Sequence, residues 1–71
     1  MGSPVFRVAG TAELERALRA LDPVSLLTTG LGDAHVCLVT IRPEAVPAFG
    51  RAVRELAGRG VVSRVDAEPH L

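Results

Sequence analysis

Val24-Ser25-Leu26-Leu27-Thr28-Thr29-Gly30-Leu31-Gly32-Asp33-Ala34-His35-Val36-Cys37-Leu38-Val39-Thr40-Ile41 is the stretch on which the fold turns. Its two halves, Val24 to Thr29 and Ala34 to Ile41, are β-prone runs rich in aliphatic and β-branched residues. Gly30-Leu31-Gly32-Asp33 between them supplies two glycines able to take positive φ. Two such runs with so short a connection predict an antiparallel hairpin. Successive strand residues face opposite ways, so Cys37, Val39 and Ile41 share one side while Val36 and Leu38 share the other. That second strand is therefore apolar on both sides, which is the pattern of a sheet covered twice.

Working outward, Val5 to Ala9 is a short β-prone run that ends at Gly10, which predicts a first strand. Thr11 offers an N-cap hydroxyl to the turn that follows, with Glu13 well placed for the helix dipole. Leu14, Leu18 and Leu21 recur at i, i+4 and i+7, and Glu15 with Arg19 forms an exposed i, i+4 pair, so an amphipathic helix is expected. Asp22-Pro23 should stop it, because proline disfavours helical geometry in the residue before it. Beyond the hairpin, Pro43 and Pro47 lie where a missing amide proton costs least, near the start of a second helix. Val46, Phe49, Val53 and Leu56 form its apolar stripe. Gly50 inside it should cost about 1 kcal/mol relative to alanine unless it permits close packing. Gly58 and Gly60 are candidate C-terminal caps, and Val61 to Ala67 reads as a last strand.

The order strand, helix, hairpin, helix, strand predicts a single α+β domain over residues 1–71 with an ordered core of about 5–67. Its familiar solution is the ferredoxin-like βαββαβ two-layer sandwich, an antiparallel sheet with both helices on one face. Seventy-one residues leave room for one core, and a core of that size is marginal without supplement. Cys37 is the only cysteine, so no internal disulfide provides it, and a lone thiol suits a reducing compartment. Oligomerisation or docking onto a larger protein partner is the expected substitute.

Composition removes several function classes. Eight Arg and no Lys balance eight acidic residues, so no large sequence-independent attraction to nucleic acid is expected. The chain has no Trp or Tyr, and Phe6 and Phe49 are both expected in the core, which leaves no stacking platform for bases. Arg51, Arg54 and Arg59 sit on or just beyond the second helix, but Glu55 lies among them, the pattern of a solvated face. Met1-Gly2-Ser3-Pro4 has no signal-peptide character and no window approaches the roughly 20 apolar residues of a membrane span. A cytoplasmic protein with neither membrane nor nucleic-acid partner is the resulting expectation.

Candidate chemistry is sparse. Asp33, His35 and Cys37 alternate along one strand, with i and i+2 side chains about 6.6 Å apart on one side. Imidazole and thiolate suit zinc, but a closed site needs four donors and only His70 adds another. His35 and Cys37 are thus the only metal candidates, and a small buried thiol with a strand-end imidazole is the preferred reading. The same pair has no oxyanion hole, and Glu44 and Glu55 lie three helical turns apart, so neither nucleophilic nor paired-carboxylate catalysis is expected. No enzyme activity and no cofactor are expected. Gly10-Thr11 ends a strand at a helix start, where free amides can receive a carboxylate or phosphate.

In element order the chain resembles the small ACT-like regulatory domains, βαββαβ modules that bind amino acids or other small effectors at dimer interfaces. The Pro-Gly that this family usually carries after its first strand is replaced by Ala9-Gly10-Thr11-Ala12. The resemblance implies an effector-binding regulatory domain, with Gly10 and Thr11 as the positional candidates for a ligand site. The residues themselves favour a different class, a non-enzymatic interaction or assembly module that is an oligomeric accessory protein. Its partner is a second copy or a larger protein, and its candidate interface is Val36 and Leu38 on the doubly apolar strand.

Overall fold

The computed structural model describes residues 2–31 and 34–67. Six elements follow in the expected order: β1 (Val5–Gly10), α1 (Leu14–Arg19), β2 (Ser25–Leu31), β3 (Ala34–Thr40), α2 (Val46–Gly58) and β4 (Val62–Ala67). A 3-10 turn over Pro43–Ala45 leads into α2, whose first turn holds Pro47 where no amide hydrogen bond is lost. The four strands are antiparallel in the order β2-β3-β1-β4. With its helices packed on that sheet, the chain is a small α+β domain of ferredoxin-like βαββαβ architecture.

One face of the sheet carries the core. Val8, Cys37 and Val39 are fully buried there, beneath Leu14 and Leu18 of α1 and Phe49, Val53 and Leu56 of α2. The i, i+4 and i, i+3 spacings of these helical residues put them on the stripes that reach the sheet. Fully burying an aliphatic or aromatic side chain contributes about 1.5–3 kcal/mol, so this row is the main stabilising feature of the domain.

Several boundaries depart from the sequence reading. The first helix has only six residues, and Thr11 is not its N-cap; its hydroxyl instead accepts the Glu13 N–H at 3.3 Å in the preceding turn. The helix also stops before Leu21, which is 37% exposed. Its end tightens into i→i−3 hydrogen bonds, Leu21 N–H to Leu18 O and Asp22 N–H to Arg19 O, and Asp22 then takes φ +54°. This rotates Leu21 off the buried stripe. Strand β2 runs past Thr29 to Leu31, so pairing consumes part of the expected four-residue connection. Asp33 and His70 lie outside the described residues.

Of the two glycines expected to cap the second helix, Gly58 is its last helical residue and Gly60 ends it. Gly60, at φ +79°, follows the last turn, its N–H donates to Ala57 O, and the Val61 N–H donates to Leu56 O. This is the Schellman arrangement, and the buried pair Leu56 and Val61 supplies its apolar contact. Val61 thus belongs to the cap, and β4 begins one residue later than expected. A register shift between Ala9 and Gly10 opposite β4 lets both Val61 and Val62 be buried, which strict alternation forbids.

Candidate functional site

The sheet has a second face, and no helix lies on it among the described residues. Register and alternation place three rows across it: Leu27, Leu38, Arg7 and Asp66; Thr29, Val36, Ala9 and Arg64; Ser25, Thr40 and Val5. Val36 and Leu38 fall here, opposite to Cys37 and Val39, and are half-buried by their neighbours. Leu27 beside Leu38 is 63% exposed. Among the described residues the charged groups of the face all lie on its β1–β4 half, where Arg64 Nε donates to Asp66 Oδ2 at 2.8 Å. On the β2–β3 half the polar groups satisfy one another: Ser25 Oγ donates to Thr40 Oγ1 at 2.9 Å and Thr29 Oγ1 to the Val36 carbonyl at 3.3 Å.

Gly10 and Thr11 meet the start of β4. The Thr11 N–H donates to the Val61 carbonyl at 2.9 Å, and a Cβ on Gly10 would collide with that same carbonyl oxygen. Both residues are committed to joining β1 to β4, the glycine by the room it leaves and the threonine by its amide. The Thr11 hydroxyl accepts the Glu13 N–H, and its own O–H donor is not consumed by that bond.

His35 and Cys37 do share a side of β3, but they meet different surroundings. Cys37 is fully buried, with Sγ 3.8 Å from Thr28 Oγ1. Burial pushes its thiol pKa above the ordinary value; the Thr28 hydrogen bond acts against this shift, and the Glu15 carboxylate reinforces it. A thiol held protonated is a poor nucleophile and a poor metal ligand. His35 lines a shallow surface depression with Ala12, Glu15, Arg16 and Arg19, where Arg19 is already paired to Glu15 at 2.9 Å. Among the described residues, no three of His, Cys, Asp and Glu come together as metal ligands would.

A third feature was not legible as a site in the sequence. Between α2 and β4 runs a groove of about 440 Å³. Val46, Gly50, Val53 and Ala57 form its helical wall at spacings that share one side of α2, and Val62 and Val65 form its strand wall. Phe6 and Phe49 line it with their ring centroids 4.9 Å apart. Its charged lining residues are Arg54 and Arg64. The sequence signal was Gly50, an exposed glycine in the middle of a helix; a Cβ there would meet nothing within 4 Å, so its absence serves no packing and leaves the groove open.

No protein-family model, no curated protein and no solved structure matches the chain.

Proposed function

We propose that this chain is a non-enzymatic assembly module whose uncovered sheet face packs against a second copy of itself. The observation that carries this reading is the apolar half of that face, where Leu27, Leu38 and Val36 lie side by side with no layer above them among the described residues. Exposed contiguous apolar surface rimmed by polar groups is characteristic of association sites.

Three features favour a second copy as the cover. The formal net charge is zero, so two copies do not repel at long range. Among the described residues the charges on the face are confined to its β1–β4 half, so a two-fold arrangement can bring the two β2–β3 halves together without burying one of those ions. Strand β2, at the adjoining sheet edge, contains neither a charge nor a proline, the usual guards against pairing with another chain.

Strand spacing and rise make the face roughly 19 Å by 20 Å, on the order of 400 Å² in projection. That is below the ~800 Å² per partner of standard interfaces, so a reversible, concentration-dependent dimer is the expected state. At Gly10 and Thr11, the candidate location of the effector-binding alternative, the Thr11 amide joins β1 to Val61 and its hydroxyl accepts the Glu13 N–H, a structural use that favours the assembly reading.

Light scattering coupled to gel filtration tests the reading across a concentration series. A folded species of 7.4 kDa persisting to millimolar protein refutes it. Leu38→Glu and Val36→Glu should shift the association to higher concentration with the circular dichroism spectrum unchanged. Wild-type association in both variants would place the interface elsewhere.

A further inference from the structure

We propose that the groove between α2 and β4 is a binding site for an amphiphilic monocarboxylate, whose apolar body lies along the groove and whose carboxylate meets the Arg54 guanidinium. This goes beyond self-assembly and does not rest on it, since the groove lies against the helical side of the sheet and shares with the open face only the edge residue Arg64.

Size is the first argument. About 440 Å³ falls within the ~300–1,000 Å³ typical of small-ligand sites; the depression at His35, about 360 Å³, does so too, but is lined by Glu15, Arg16, Arg19 and His35 rather than by apolar side chains. Lining is the second. Phe6, Phe49, Val46, Val53, Val62 and Val65 present an apolar trough, and Val65 is left 37% exposed beside the fully buried Val8. Such a trough gains from an apolar chain that displaces its water.

Charge decides the head group. Among the described residues no acidic residue lines the groove, and both charged residues that do are arginines. Arg64 is held by Asp66, while Arg54 makes no ion pair among the described residues. Arg54 lies one turn beyond Gly50 on the same side of α2, so its side chain stands over the groove that the missing Cβ opens. A planar guanidinium with free donors matches a carboxylate in a two-point hydrogen bond. An extended peptide added along β4 is disfavoured, because Arg64 and Asp66 guard that edge as charges commonly guard edge strands.

Nuclear magnetic resonance titration of the isotope-labelled protein with decanoate, below its micelle concentration, provides the test. Decanol and decyltrimethylammonium serve as neutral and cationic probes of the same length. The expected result is saturable binding of decanoate, with shifts confined to the amides of Val46, Gly50, Arg54, Ala57, Val62 and Val65. Arg54→Gln should weaken decanoate by roughly tenfold and leave decanol unchanged, the scale of one charged hydrogen bond. Gly50→Leu should abolish binding by filling the groove; it places its side chain in open space on an exposed helix position, so the fold is retained. No saturable binding, equal affinity for decanol and decanoate, or shifts centred on Leu27, Val36 and Leu38 would each overturn the proposal.

Discussion

Replacing Gly10 with alanine should be the most damaging single-methyl change in this protein. The added Cβ would run into the Val61 carbonyl oxygen and stand 3.0 Å from the carbonyl carbon and 3.2 Å from Val62 Cα. Carbon atoms pack best at about 3.5–4.0 Å, so β1 and the start of β4 must separate by at least ~0.5 Å, and the oxygen demands more. All three obstructing atoms are backbone, so no rotamer change relieves the clash. The Thr11 N–H to Val61 O hydrogen bond lies in the path of that movement and is worth about 0.5–1.5 kcal/mol. Val61 and Val62, only 5% and 6% exposed, would be partly uncovered, each losing some of the ~1.5–3 kcal/mol that full burial provides. A loss of about 2–4 kcal/mol follows, against a total of roughly 4–10 kcal/mol expected for 71 residues. Urea unfolding at fixed protein concentration measures it, followed by far-ultraviolet circular dichroism because the chain has no Trp or Tyr. Gly50→Ala is the matched comparison: its Cβ meets nothing, so it should raise stability by about 0.5–1 kcal/mol through helix propensity. A Gly10→Ala protein within ~1 kcal/mol of the parent would refute the steric argument.

Other expectations concern local chemistry. Gly60→Ala should cost about 1–2 kcal/mol, because φ +79° is unfavourable for a residue with a Cβ, and Gly60→Asn should cost less; the same urea titration ranks them. Cys37 makes stability pH-dependent on the alkaline side. Its folded pKa is raised, so the unfolded chain releases the thiol proton first, and stability is full below the ordinary thiol pKa and declines as pH rises through the folded value. The chain has no Lys or Tyr to mask that decline, and Cys37→Ala should flatten it; an unchanged slope in thermal melts between pH 8 and 11 would contradict the assignment. Thr11→Ala should cost no more than about 1 kcal/mol, since its hydrogen bond to Glu13 is exposed and long at 3.3 Å.

Much of the architecture was legible because it rests on local periodicity. Leu14 with Leu18, and Phe49 with Val53 and Leu56, mark helical stripes by spacing alone, and the alternation in β3 separates Cys37 and Val39 from Val36 and Leu38 before any partner strand is known. Gly60 announced the end of α2 because a positive φ is a local requirement. Helix α1 was overextended for the converse reason. Leu21 keeps the heptad-like spacing, but the chain must turn sharply at Asp22 to enter β2, and that demand comes from the sheet.

What the sequence by itself determined is therefore the succession of elements and the two-sided apolar character of β3. The strand order β2-β3-β1-β4, and with it the knowledge that one of those two sides is left without a helix, was decided only in three dimensions. The same holds for three glycines that look alike in the sequence. Gly10 is needed because Val61, fifty-one positions away, presses its carbonyl against it; Gly60 is needed for its own backbone angle; Gly50 is needed for neither and opens a groove. Dihedral preference and periodicity act within a few residues and can be read along the chain, whereas a steric neighbour or a cavity exists only after distant segments have been packed together.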